Sequence, residues 1–351
     1  MKLQHVLITL LLAHNSVTFA QQLKDTLRIV GVGDIMMGSN YPTPGVLPPQ
    51  DGRELLQEVA PVLSDADITF GNLEGVLLTE GGTPKTCRDP KVCYVFRSPT
   101  HYVQNLVDAG FDMISLANNH AGDFGEIGRR SSMKALEDAG IAHAGQVAQP
   151  FTVVTRENIR YGLVAFAPNS GCLDINDLNQ AKMYVQKLDS ISDVVIVSFH
   201  GGAEGASFQH VPRAEELFHG ENRGDVYKFA HTLIDAGADI VFGHGPHVTR
   251  AVEVYKDRFI AYSMGNFCTY GGINVAGVNG LAPILTVYTS QEGRFYKAKI
   301  TPTYQTPRSP VKIDPEKRVI KRIQQLTRED FADSDTQVDD HGWVRTSTIP
   351  R

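Results

Sequence analysis

The sequence predicts an α/β layer fold, and three observations carry that expectation. Apolar, β-branched runs alternate with amphipathic stretches along most of the chain. Several runs are nearly continuous in hydrophobicity, as strands covered on both faces should be. Most are followed at their carboxyl ends by glycine-flanked clusters of Asp, Asn, Glu or His, where open α/β sheets gather ligands. The 351 residues are 42% hydrophobic and 21% charged, which supports a buried core and excludes a disordered chain. With 39 acidic residues against 33 Lys and Arg, the formal charge of −6 argues against a nucleic-acid partner, which would want a basic face.

A secretory signal is expected over residues 1–20. Lys2 supplies the positive start, Val6 to Ala13 a short apolar run, and Thr18 and Ala20 the small residues before a cleavage point. The run is too short to cross a bilayer, which takes ~20 residues. The mature protein is therefore expected to be exported, to a periplasm or beyond. Strands are then expected over Thr26–Gly33, Ile68–Gly71, Met113–Leu116, Gly162–Phe166, Val194–Phe199, Ile240–Phe242 and Phe259–Met264. Helices are expected over Arg53–Leu63, Tyr102–Ala109, Ile127–Ala139 and Val226–Ala236, three of them closing before Gly110, Gly140 or Gly237. One main domain is expected over residues 25–305. Thr301–Pro310, with three prolines, reads as a connector to a helix begun by Asp314 and Pro315, and the last twenty residues read as a loose polar tail, so that 306–351 form an appendage.

Export changes how the four cysteines read. Cys87 and Cys93 flank a short turn-like stretch and are expected to form a disulfide, whereas a second bridge between Cys172 and Cys268 stays open. Neither pair has the spacing of a zinc site.

The strand-end clusters carry the chemistry. They are Gly33-Asp34-Ile35-Met36, Gly71-Asn72-Leu73-Glu74-Gly75, Ala117-Asn118-Asn119-His120, His200-Gly201-Gly202-Ala203-Glu204, Gly243-His244-Gly245-Pro246-His247 and Gly265-Asn266-Phe267. Carboxylate and amide oxygens with neutral imidazoles are the donors a divalent cation takes. Such an ion acidifies water and offsets charge on a phosphoryl or carboxyl group. Asp34, His200 and His247 are the foremost candidate ligands, with Asn119 and His244 next. Glu74 is either a ligand or a carboxylate orienting a water or histidine. His120 suits a general acid, and Glu204 either a base or an anchor for a substrate amine. Arg97, Arg129 and Arg130 are candidates to meet an anionic substrate. Asp123 and Asn266 read as loop-holding groups, Asn266 also as a candidate substrate contact. His143, His210, His219 and His231 lack the glycine-flanked strand-end context and read as partnered or surface residues.

Taken together, these segments resemble the poly-gamma-glutamate capsule biosynthesis family (CapA-type, PGA_cap), itself similar in fold to calcineurin-like metallophosphoesterases. The matching pieces run from Gly33-Asp34-Ile35-Met36-Met37-Gly38 through Asn72-Leu73-Glu74-Gly75, Phe96-Arg97-Ser98-Pro99, Leu116-Ala117-Asn118-Asn119-His120 and Asp123-Phe124-Gly125. They continue with His200-Gly201 and Glu204, Pro246-His247-Val248 and Ser263-Met264-Gly265-Asn266-Phe267. The resemblance implies a four-layer αββα sandwich, a divalent metal (Mn, Fe, Zn or Ca, one or two ions), and an anionic polymer or phosphoester as substrate. The same resemblance implies membrane proteins of envelope biosynthesis as partners. It also shows departures. Met36 stands where the phosphoesterases place a histidine ligand, Asn72 where they bridge two metals with aspartate, and Gly245 where the capsule family often has another histidine. A single ion, or a weakly held pair, fits that altered set. Three readings remain: a metal-dependent hydrolase of an envelope polymer, a non-catalytic polymer-binding component, and a secreted nucleotidase.

Overall fold

The strand Leu27–Met36 shows why two sheets stack in this protein. Its side chains alternate, so Leu27 and Ile29 face one apolar core while Val30 and Val32 face another. The same alternation recurs in Val194–His200, where Val194 and Ile196 join the first of those cores and Val195, Val197 and Phe199 a third. Two sheets thus share a central core, and each covers its outer face with helices. This is the expected four-layer αββα sandwich, seen in a computed structural model that describes residues 25–87 and 93–347. The candidate signal at 1–20 lies outside the described residues.

The first sheet has ten strands. Leu27–Met36, Ile68–Leu73, Met113–Ser115 and Ala142–Ala144 run parallel in that order, and the antiparallel pair Leu281–Thr289 and Phe295–Tyr304 extends the other side. The second has six, with Ile159–Phe166, Val194–His200, Ile240–His244 and Arg258–Ala261 parallel at its centre. Outside the first sheet pack the helices Val103–Ala109 and Gly125–Asp138; outside the second, Leu178–Asp189 and Val226–Asp235.

One crossing matters for the site. The short strand Asn266–Thr269 pairs parallel with the end of Leu27–Met36, on the side that Leu281–Thr289 vacates. Gly33 permits it, because a β-carbon there would lie 2.0 Å from the Gly265 carbonyl oxygen. The Asp34 amide donates to that same oxygen at 2.9 Å.

Three expectations are corrected, and the cysteine pairing left open is decided. The helix expected over Arg53–Leu63 reduces to Ala60–Leu63, preceded by turns, since Pro61 has no amide to bond back to residue 57. The stretch Thr301–Pro310 is not all connector, because the strand Phe295–Tyr304 runs through Thr301 to Tyr304. The final segment is not a loose tail: Gln337–Val338 and Trp343–Arg345 pair with each other, and the latter with Phe295–Tyr304. Between them and the connector, the helix Arg318–Asp330 buries Val319, Ile320 and Ile323 in the central core. Cys172 and Cys268 are separate buried thiols, whereas Cys87 and Cys93 form the expected disulfide.

Candidate metal centre

The strand ends place the site by register. Asp34 is level with Asn72 on one side and Asn266 on the other, and Asn72 with Ser115. In the second sheet His244 is level with His200. Asp34, Asn72, Ser115, His200 and His244 are each at or near the last residue of their strands, and Asn266 opens the short strand beside Asp34, so both rows converge where the parallel strands stop.

Asp34 is at the centre and fully buried. Its Oδ1 accepts from Asn72 Nδ2 at 2.9 Å and lies 3.0 Å from His244 Nδ1. Among the described residues its Oδ2 has no hydrogen-bond donor; His247 Nδ1, 3.3 Å away, bonds instead to Asn266 Oδ1 at 2.9 Å. Glu74 is held in place by its own amide, which donates to the Ile35 carbonyl at 2.8 Å. Both of its carboxylate oxygens are buried without a donor, one of them 3.4 Å from His247 Nε2 and 3.9 Å from His200 Nε2. Both His200 nitrogens and His244 Nε2 are likewise buried and unpartnered. Donor atoms of Asp34, Glu74 and His247 all lie within 4.8 Å of one another.

The charges show what the cluster lacks. Burial works against an ionised Asp34, but His244 and then His247 outweigh it and hold the carboxyl below the ordinary carboxylate range. Burial pushes Glu74 well above its ordinary value, against the pull of His247. Burial lowers His200 far below the usual imidazole value, whereas Glu74 and Asp34 overcome burial at His247 and raise it to about 10. Unpartnered carboxylate oxygens facing imidazole nitrogens fit a divalent cation, which can take the place of the proton that His247 otherwise holds.

Other expected residues are placed differently. Asn72 spends its amide on Asp34 and its oxygen on Asn118 Nδ2 at 3.1 Å, so it links two strands and has no free donor for a metal. Asn118, which the sequence reading left without a role, also bonds the Leu73 carbonyl at 2.8 Å and takes the His120 amide at 3.0 Å. Asn119 keeps a buried, unpartnered side-chain oxygen. Met36 is buried, and its sulfur accepts the Gly38 amide at 3.3 Å. His120 packs against Phe96 and bonds Asp123 Oδ2 at 2.8 Å, while Asp123 also takes the Phe96 amide and an ion pair from Lys85 at 2.6 Å. Burial lowers the His120 pKa against the pull of Asp123.

Asn266 donates to three backbone carbonyls, those of His247, Asn274 and Asn279, and so positions His247. Arg97 is spent on Asn40 Oδ1, the Gly81 carbonyl and the Phe124 ring. Arg129 bonds Gln146 and the Ser170 carbonyl, and Arg130 pairs on the surface with Glu126. Glu204 is bonded by Arg223 Nη2 at 2.8 Å. Among the histidines set aside, His143, His210 and His231 each face a carboxylate.

An αββα sandwich with acidic and histidine side chains converging at the strand ends defines the class. The model of the family "Bacterial capsule synthesis protein PGA_cap" matches residues 28–270, and the chain belongs to that family. It is 29% identical over 262 residues to "Capsule biosynthesis protein CapA" of Bacillus anthracis, covering 69% of this chain and 60% of that protein. It is 26% identical over 260 residues to "PGA biosynthesis protein CapA" of Bacillus subtilis (strain 168), covering 69% and 63%. The match thus spans less than two thirds of either relative. Among solved structures, the chain superposes on a hypothetical protein from Thermus thermophilus with a TM-score of 0.50 and 17% identity, over 80% of this chain and all of that one. It also aligns with the calcineurin-like phosphoesterase YfkN of Bacillus subtilis at a TM-score of 0.43 and 14% identity, over 87% of this chain and 98% of that one.

Proposed function

We propose that this protein is exported and helps to make or process a capsule-type or poly-gamma-glutamate polymer, through one divalent cation held between its two sheets. The observation that carries this reading is the set of buried, unpartnered donors on Asp34, Glu74, His200 and His244, with His247 among them. Those residues would hold the ion, and the imidazole-rich set favours Mn, Fe or Zn over Ca. A divalent ion so held supplies a Lewis acid that acidifies water and offsets substrate charge. His120, fixed through Nδ1 by Asp123, leaves its other ring nitrogen to hold or deliver a proton to a leaving oxygen or nitrogen. The names of the two CapA relatives support a capsule or PGA polymer as the substrate class. Membrane proteins of envelope assembly are its proposed partners. The Cys87–Cys93 disulfide supports an oxidising compartment. No helix among the described residues is long and apolar enough to cross a membrane.

A second reading, a non-catalytic polymer-binding component, is favoured by Asn72 and Met36, whose polar atoms are committed to hydrogen bonds where a second ion would need ligands. Elemental analysis of the purified mature protein, with a product assay on poly-gamma-glutamate and a generic phosphodiester, separates the readings. The expected result is about one ion per chain and release of polymer fragments, both lost in Asp34→Asn. Metal with no product from either compound would favour the binding reading, and protein that takes up no divalent metal would overturn both the ion and the chemistry built on it.

A further inference from the structure

Arg223 is buried beside the metal cluster without being used by it. It follows the small hairpin of Leu217–Phe218 and Glu221–Asn222, and its backbone is pinned on both sides. Its amide donates to the Glu216 carbonyl at 2.8 Å, and its carbonyl takes the Gly202 amide at 2.9 Å, two residues beyond His200. Only 5% of its side chain is exposed. Nη2 donates to Glu204 at 2.8 Å, Nε lies 3.0 Å from a Glu221 oxygen, and Phe218 lies beneath the guanidinium. Nε and Nη1 are buried, and neither makes a hydrogen bond among the described residues. A buried charged donor left unsatisfied is unfavourable unless a ligand completes it.

Glu204 lies on the loop that leaves the strand end at His200, and Arg223 is bonded to the same loop through Gly202. The pair is therefore tied to the strand end that carries His200, and Glu204, 23% exposed, lies toward solvent. With Nη2 bonded to Glu204 and Nε beside Glu221, the guanidinium is fixed in direction, and its Nη1 offers the charged N–H that an oxyanion accepts.

We propose that Arg223 receives an oxyanion of the substrate through Nη1, and that Glu204 is the residue that aims it rather than a base. Resting on the proposed function above, this names a carboxylate along the polymer as the group recognised, with phosphate as the other source of the same chemistry. The test is equilibrium binding of oligo-gamma-glutamate and, separately, inorganic phosphate to the full mature chain. Wild type, Arg223→Lys and Glu204→Gln are compared, with bound metal measured in each sample.

The expected result is oligo-glutamate binding that weakens at least tenfold in Arg223→Lys and about threefold in Glu204→Gln, at unchanged metal content. Should Arg223→Lys fail to fold, Glu204→Gln alone decides, since it keeps the guanidinium and removes only its aim. Wild-type affinity for oligo-glutamate in the variants would overturn the role of Arg223 and leave the polymer reading standing. Binding of phosphate alone, weakened by the same substitutions, would support the oxyanion role and remove the polymer. Binding of neither by the wild type would overturn both.

Discussion

Gly245 is fixed by contact as well as by backbone angle. Its φ is +112°, and a β-carbon there would lie 2.7 Å from the Gly201 carbonyl oxygen. Gly201 and Gly245 directly follow the paired residues His200 and His244, so a side chain at 245 would push the two strand ends apart. Gly245→Ala is expected to destabilise the protein by about 1–3 kcal/mol, read as a lower denaturant midpoint, and to weaken metal uptake as well. A variant as stable as the parent would mean that the two strand ends give way freely. The same contact explains one departure that the sequence shows without explaining it. Where the capsule family often has a histidine, this backbone leaves no room for one. Asn118 marks the opposite case: adjacent asparagines give no sign of which one faces the sheet interior, and the one that links Asn72, Leu73 and His120 became visible only in three dimensions.

Elements were legible where burial on both faces made their signal strong. The strands Leu27–Met36, Ile68–Leu73, Val194–His200 and Ile240–His244 follow the apolar runs, and each runs on past its expected end into the polar cluster that forms the site. The pair Leu281–Thr289 and Phe295–Tyr304 was not legible, because Pro283 and Pro302 break its strand pattern. In the structure those prolines stand opposite each other in one register, so two apparent interruptions fall at a single level of the ladder. The helix Arg318–Asp330 was legible by its apolar stripe, but not its destination. Ile323 is fully buried in the central core, and Ile323→Ala is expected to cost about 2–5 kcal/mol by chemical denaturation. A loss below about 1 kcal/mol would mean that the C-terminal segment adds little to the sandwich.

Asp239 joins two strands at the opposite edge from the site. It bonds the Val195 amide at 2.7 Å and pairs with Arg258 at 2.7 Å, yet burial pushes its carboxyl up to about 6. A carboxyl raised on folding binds an extra proton in the folded state between about pH 4 and 6. Its contribution to stability therefore falls as pH rises through that window and is flat above it, by on the order of 3 kcal/mol at most. Asp239→Asn lacks that proton. The stability advantage of wild type over the variant should shrink from about pH 4 to pH 7, and parallel denaturation curves across the range would refute the assignment.

At the scale of the whole molecule, the site is a joint between the two sheets. Asp34 and Glu74 come from the first, His200, His244 and His247 from strand ends of the second, and among the described residues no hydrogen bond satisfies the second Asp34 oxygen, either Glu74 oxygen or either His200 nitrogen. An ion bound by both halves must be released when they separate, so it stabilises the folded chain by mass action. At a free metal concentration near 100 times the dissociation constant, that stabilisation is about 2.7 kcal/mol. Chelator-treated protein titrated with Mn, Fe or Zn is accordingly expected to show a rising unfolding midpoint in one cooperative transition, with Ca giving a smaller rise. In Asp34→Asn the rise should vanish at the same metal concentrations, because the carboxylate at the centre of both rows is gone. If metal raised the midpoint equally in that variant, the ion would be bound elsewhere. If it split the transition in two, the sheets would be shown to unfold separately, and the ion would belong to one of them rather than to the joint.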